Sequence, residues 1–150
     1  MHMHNTLAAS DYGLLDQKTL DPRPNYWAAL LWRKLMGTTV LDPGPSPVAS
    51  LHLYAQCLRG KPGGVALLAI NADKTAAQSV AVPAVAERYT LSSPDLLSTE
   101  VELNGSELKL EAGDAFPKLK GTAVHPGPVT FAPTSITFLA FPTANNANCK

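Results

Sequence analysis

Charge is scarce in this sequence. Lys, Arg, Asp and Glu make up 16% of 150 residues, and twelve cations balance twelve anions. There is no basic stripe and no run of like charges, so nothing points to a nucleic-acid partner or an anionic membrane surface. Long apolar runs are missing too. The longest, Val65 to Ile70, is strand length, against the roughly 20 residues a bilayer span needs. Met1-His2-Met3-His4 is not a basic region leading into an apolar one, so no signal-peptide pattern opens the chain. An exported protein starting here is then expected to have lost its leader or to be a fragment. No serine has a nucleophile-elbow context. Gly60-Lys61-Pro62-Gly63-Gly64 is a turn between strands, not a strand-to-helix phosphate loop. No cofactor is implied. Only two cysteines occur, Cys57 and Cys149. Their spacing is not that of a zinc site. They are either two free thiols or a disulfide pinning the tail, whose loop of about 90 residues would contribute at most on the order of 4 kcal/mol.

What is present is globular and turn-rich. Hydrophobic residues reach 45%, with 13 prolines and 10 glycines in short clusters, as in an all-β domain. Residues 1–6 read as a short strand and residues 7–24 as a loop closed by Asp21-Pro22-Arg23-Pro24. Asn25 to Met36 reads as a helix, because Trp27, Leu30, Leu31, Lys34 and Leu35 share one face. Asn25 is the expected N-cap and Gly37 the residue just past the end. Strands are expected at Ser50–Cys57, Val65–Asn71, Ser79–Val82, Arg88–Leu91, Thr99–Leu103, Glu107–Leu110 and Ser135–Phe141. Asn104-Gly105-Ser106 marks a hairpin. A strand, loop and helix followed by a β-sandwich is not a natural independent unit. The opening portion reads as the last βα step of a parallel α/β architecture, whose post-strand loops carry sites.

That loop holds three carboxylates, Asp11, Asp16 and Asp21. A pair about 5 Å apart could serve retaining glycoside hydrolysis; aspartates in loops more commonly cap turns, and that reading is preferred. Glu100, Glu102, Glu107 and Glu111 read as a solvated hairpin face. His2 and His4 share one strand face but lack a third metal ligand, and His52 and His125 stand alone, so no metal is expected. Tyr12, between Asp11 and Gly13, offers a hydroxyl donor near a site or packs in the core.

The order of segments resembles the heparanase-like enzymes of glycoside hydrolase family 79. The resemblance runs through Ser10-Asp11-Tyr12-Gly13-Leu14-Leu15-Asp16, then Asn25-Tyr26-Trp27 opening a helix that ends Lys34-Leu35-Met36-Gly37-Thr38. It continues through Leu51 to Cys57, Ala66 to Asn71, Val101 to Leu110, Ser135 to Phe141 and Cys149, nearly the whole chain. It implies a retaining (β/α)8-barrel glycosidase that cleaves β-linked glucuronic acid, with a β-sandwich packed on the barrel. Residues 1–38 would be the last βα unit of the barrel and residues 39–150 the sandwich, a mainly β chain. The family's two catalytic glutamates lie on earlier strands. They have no counterpart here, since no glutamate precedes Glu87. The chain alone would be inactive and would need the rest of the barrel as partner. The resemblance gives Tyr12 and a backbone amide near Ser10 a role in holding the glucuronate of a glycan, through a phenol O–H and an N–H to a carboxylate. It also pairs Cys57 with Cys149, which favours a secreted, periplasmic or extracellular enzyme. The alternative is a free-standing, non-catalytic β-sandwich that binds carbohydrate or serves structure; no strand carries paired exposed aromatics to support it.

Overall fold

A computed structural model describes residues 6–8 and 10–150. The strand expected over residues 1–6, with His2 and His4, lies almost wholly outside them. The chain is mainly β, as expected. In order it runs α1 (Pro24–Leu35), β1 (Met36–Leu41), β2 (Leu51–Leu58), β3 (Val65–Asn71), β4 (Gln78–Val82) and β5 (Ala86–Ser92). Then come β6 (Glu102–Leu103), β7 (Ser106–Glu107), β8 (Thr122–Val124), β9 (Gly127–Phe131) and β10 (Ser135–Phe141).

Eight strands form one antiparallel sheet, ordered β1-β2-β3-β10-β5-β6-β7, with β8 paired to β5 beside β6. Strands β4 and β9 form a separate two-stranded sheet. The period-2 alternation of the long strands gives the large sheet two apolar faces. On one, Leu51, Ala69, Leu139 and Phe141 meet Val82, Val129 and Phe131 of the small sheet. On the other, Ala66, Leu68, Tyr89, Leu91 and Phe138 meet Trp27, Leu31 and Leu35 of α1. The near-continuous apolar run of β3 is explained by this position, between β2 and β10 and covered on both sides. Buried Asn71 ties the layers together: its Nδ2 lies 3.1 Å from the carbonyl of Phe131 and 3.0 Å from that of Ala132.

Three expectations are corrected. The helix starts one residue earlier than expected, with Arg23 rather than Asn25 as N-cap and Pro24 at its first position. Proline fits there because its φ is already helical and its missing N–H has no partner to lose. Gly37 does not cap the helix. The chain turns extended at Met36 and continues into β1. Gly37 is instead a close-approach residue, since a Cβ there would sit 2.5 Å from the Cys57 carbonyl oxygen. The hairpin has shorter arms than expected, Glu102–Leu103 against Ser106–Glu107. Asn104 and Gly105 turn it with φ of 51° and 81°, the left-handed pair a two-residue hairpin requires. Asn104 also anchors the turn to β5, accepting from the Thr90 N–H at 2.8 Å and donating to the Arg88 carbonyl at 3.0 Å. Leu108 and Leu110 then leave the ladder to pack toward the helix.

Cys57 and Cys149 form a disulfide with Cα atoms 5.3 Å apart. The tail is bound to the β2–β3 turn by backbone bonds as well: Gly63 N–H donates to the Cys149 carbonyl and Asn146 N–H to that of Gly63. Among the described residues no helix is long and apolar enough to cross a membrane.

Candidate functional site

The loop before α1 is built around Gly13 and Arg23. Gly13 N–H donates to the Ser10 carbonyl at 3.0 Å, closing a turn over residues 10–13, and Leu15 N–H donates to the Leu7 carbonyl at 2.8 Å. A Cβ on Gly13 would lie 2.9 Å from the Leu7 oxygen and 3.1 Å from the Ser10 oxygen, too close for any other residue. Arg23 closes the loop from its far end. Its N–H donates to the Leu14 carbonyl at 2.9 Å, one Nη donates to the Asp11 carbonyl, and the other meets Asp16 Oδ2 at 3.2 Å.

This geometry decides the aspartates. Asp16 Oδ1 accepts from the N–H groups of Lys18 at 2.9 Å and Thr19 at 3.1 Å. Those two bonds, and then Arg23, lower its pKa to about 2. A carboxyl held so firmly ionised is a poor proton donor at neutral pH. Asp11 and Asp21 contribute carbonyl oxygens, to Arg23 and to the Asp16 N–H. Asp16 caps a turn with its side chain, as preferred from sequence; Asp11 and Asp21 take part in the loop through their backbone oxygens. Glu100, Glu107 and Glu111 are exposed and Glu102 half-buried, with Glu107 paired to Lys109 at 2.8 Å. His52 and His125 are exposed. Among the described residues no three His, Cys, Asp or Glu side chains cluster as a metal would require.

Ser10 and Tyr12 share the turn that Gly13 closes. The Tyr12 side chain projects outward, 60% exposed, so it does not pack in the core. The Ser10 Oγ is buried and has no hydrogen-bond partner among the described residues. A buried hydroxyl without a partner costs about 1–3 kcal/mol, so the turn holds an unsatisfied polar atom two residues from an exposed phenol. A cleft of about 350 Å³ adjoins the loop, lined by Asp16, Arg23, Trp27, Glu107 and Leu110 among others; neither Ser10 nor Tyr12 is in its wall. The importance of Arg23 was not apparent from sequence. Its one signal, an arginine framed by Pro22 and Pro24 at a helix start, also suits a plain chain terminator.

No family model matches the chain. Curated relatives do. Baicalin-beta-D-glucuronidase of Scutellaria baicalensis is 33% identical over 76% of this chain and 23% of its own length. Heparanase-like protein 2 of Arabidopsis thaliana is 30% identical, covering 100% of this chain and 35% of its own. Heparanase of Bos taurus is 30% identical over 94% of this chain and 28% of its own. The chain therefore spans about a quarter to a third of the length of these relatives. Among solved structures, a GH51 arabinofuranosidase from Xanthomonas axonopodis pv. citri aligns with 70% of this chain and 21% of its own at TM-score 0.36 and 18% identity, a likeness too distant to bear on the argument. Across most of its length, then, the chain belongs to the heparanase-like family.

Proposed function

We propose that this chain is the C-terminal part of a retaining β-glucuronidase or heparanase-type glycoside hydrolase acting on glucuronic-acid-containing glycans. Residues 1–38 form the last βα unit of a (β/α)8 barrel, and residues 39–150 the β-sandwich that stabilises it. The chain completes the barrel and supplies part of the uronate subsite. Tyr12 donates its hydroxyl, and a backbone amide near Ser10 donates its N–H, to the glucuronate carboxylate. Both are neutral donors to an anion, worth more than donors to a neutral acceptor. The acid and the nucleophile come from sequence outside this chain, since no glutamate precedes Glu87. The enzyme is exported, in keeping with its disulfide.

The observation that carries the reading is the collinear match to a glucuronidase and to heparanases over 76–100% of the chain. The hydrogen-bonded turn that leaves Tyr12 exposed supports the residue roles. The second reading, a non-catalytic glycan-binding sandwich, has one observation in its favour. Phe116 is 53% exposed and stacks on Tyr26, with centroids 6.0 Å apart and planes 4° from parallel. An aryl β-glucuronide assay separates the two. The 150-residue chain gives no turnover by itself, and the complete polypeptide hydrolyses the substrate. Turnover by the isolated chain contradicts the division of roles, and a complete polypeptide that binds glycan without cleaving it favours the second reading.

A further inference from the structure

At the other end of α1 from the Tyr12 loop, cations distant in sequence converge. A groove of about 190 Å³ is lined by Lys34, Arg59, Lys61, Glu87 and Tyr89. The helix is 12 residues long, so the groove lies roughly 18 Å along its axis from the loop. Three cations face one carboxylate, and that carboxylate already accepts the Tyr89 hydroxyl at 2.6 Å. The ion pairs among the described residues are Arg23–Asp16 and Lys109–Glu107, and neither involves a groove cation.

The supports are held by backbone hydrogen bonds. Arg59 N–H donates to the Leu35 carbonyl at 2.9 Å and Lys61 N–H to that of Leu58 at 3.2 Å. Gly63, in the same turn, is tied to the disulfide-bonded tail. Lys34 Nζ donates to the Leu119 carbonyl at 2.6 Å and sits 5.6 Å from the Tyr89 ring centroid. That contact holds the Lys34 ammonium at the groove from the side of the 118–120 segment. A cation near a helix C-terminus is explained by the dipole alone. Arg59 and Lys61 are not on the helix, and in a chain with no net charge their gathering makes a local positive field.

We propose that this groove is a second glycan-docking site, which takes anionic substituents, sulfate or uronate carboxylate, of a polysaccharide. It is smaller than the roughly 300 Å³ of the smallest typical ligand pockets, which suits a charged substituent rather than an enclosed sugar. The choice of a glycan rests on the hydrolase reading above.

The test is calorimetric titration of size-defined heparin and hyaluronan oligosaccharides into the complete polypeptide at low salt. Arg59→Gln with Lys61→Gln weakens binding about tenfold and flattens its salt dependence. Lys74→Gln, beyond the opposite end of β3, changes neither. Loss for heparin alone assigns sulfate, and loss for both assigns carboxylate. Aryl β-glucuronide turnover stays at the wild-type level in each variant. Unchanged affinity in the double variant overturns the site. Equally tight binding of single-stranded DNA, with the same loss, overturns its assignment to glycans. Groove-dependent glycan binding without any turnover by the wild type removes the hydrolase reading and leaves the groove standing.

Discussion

Asp16 shows how one side chain can be committed to architecture instead of chemistry. It accepts two backbone N–H bonds and meets Arg23, and its pKa falls from 3.8 to about 2. A depressed folded value means stabilisation that is complete above the unfolded pKa and lost as pH drops through the folded one. The window is therefore pH 4 to 2. Asp73, lowered by N–H bonds from Ala76 and Thr75, loses its contribution from the same upper limit. Asp16→Asn removes part of this acid sensitivity. Urea midpoints measured between pH 4 and 2 fall less steeply for the variant than for wild type, and equal slopes would refute the assignment. Arg23 was hard to foresee because its role depends on the carbonyls of Asp11 and Leu14, and sequence patterns carry no information on where backbone oxygens point. Tyr12 and Ser10 were legible as neighbours, since they lie two residues apart. The exposure of the phenol and the burial of the Ser10 hydroxyl, which has no partner among the described residues, required the folded turn.

At the scale of elements, β2 and β3 were readable because burial marks one face of β2 and both faces of β3. The alternation of Leu51, Leu53, Ala55 and Cys57 and the run from Val65 to Asn71 match the observed strands nearly residue for residue. Strands β1, β8 and β9 were not. Half of β1 is exposed and only Met36 is buried, so no buried face marks it. β8 has three residues. β9 contains Pro128, which argues against a strand until its place in a two-stranded sheet, opposite Ala81, is known. The junction of α1 and β1 turns on Gly37. Gly37→Ala would set a methyl 2.5 Å from the Cys57 oxygen, a backbone atom. Overpacking of this kind costs about 1–3 kcal/mol. The thermal midpoint of the variant is expected to fall accordingly, and an unchanged midpoint would show that the strands separate without strain.

For the molecule as a whole, two features bind distant parts of the chain. The first is the sheet itself, in which β10 pairs with both β3 and β5, so the last strand completes the core. The second is the disulfide, which closes a separation of 92 residues. Cys149→Ser is expected to lower stability by at most on the order of 4 kcal/mol, through the entropy the bridge removes from the unfolded chain. Denaturant titration reads the loss, and no change would mean that the tail's backbone bonds suffice. Tyr12, in turn, is proposed to supply a hydroxyl donor to the glucuronate carboxylate. That role is read from kcat/KM of the complete polypeptide for an aryl β-glucuronide and the matching aryl β-glucoside, with and without Tyr12→Phe. Loss of a hydrogen bond to a charged group costs about 1.5–3 kcal/mol. A fall of about ten- to a hundredfold is expected for the glucuronide, with the glucoside unaffected. An equal effect on both substrates, or none on either, would contradict it.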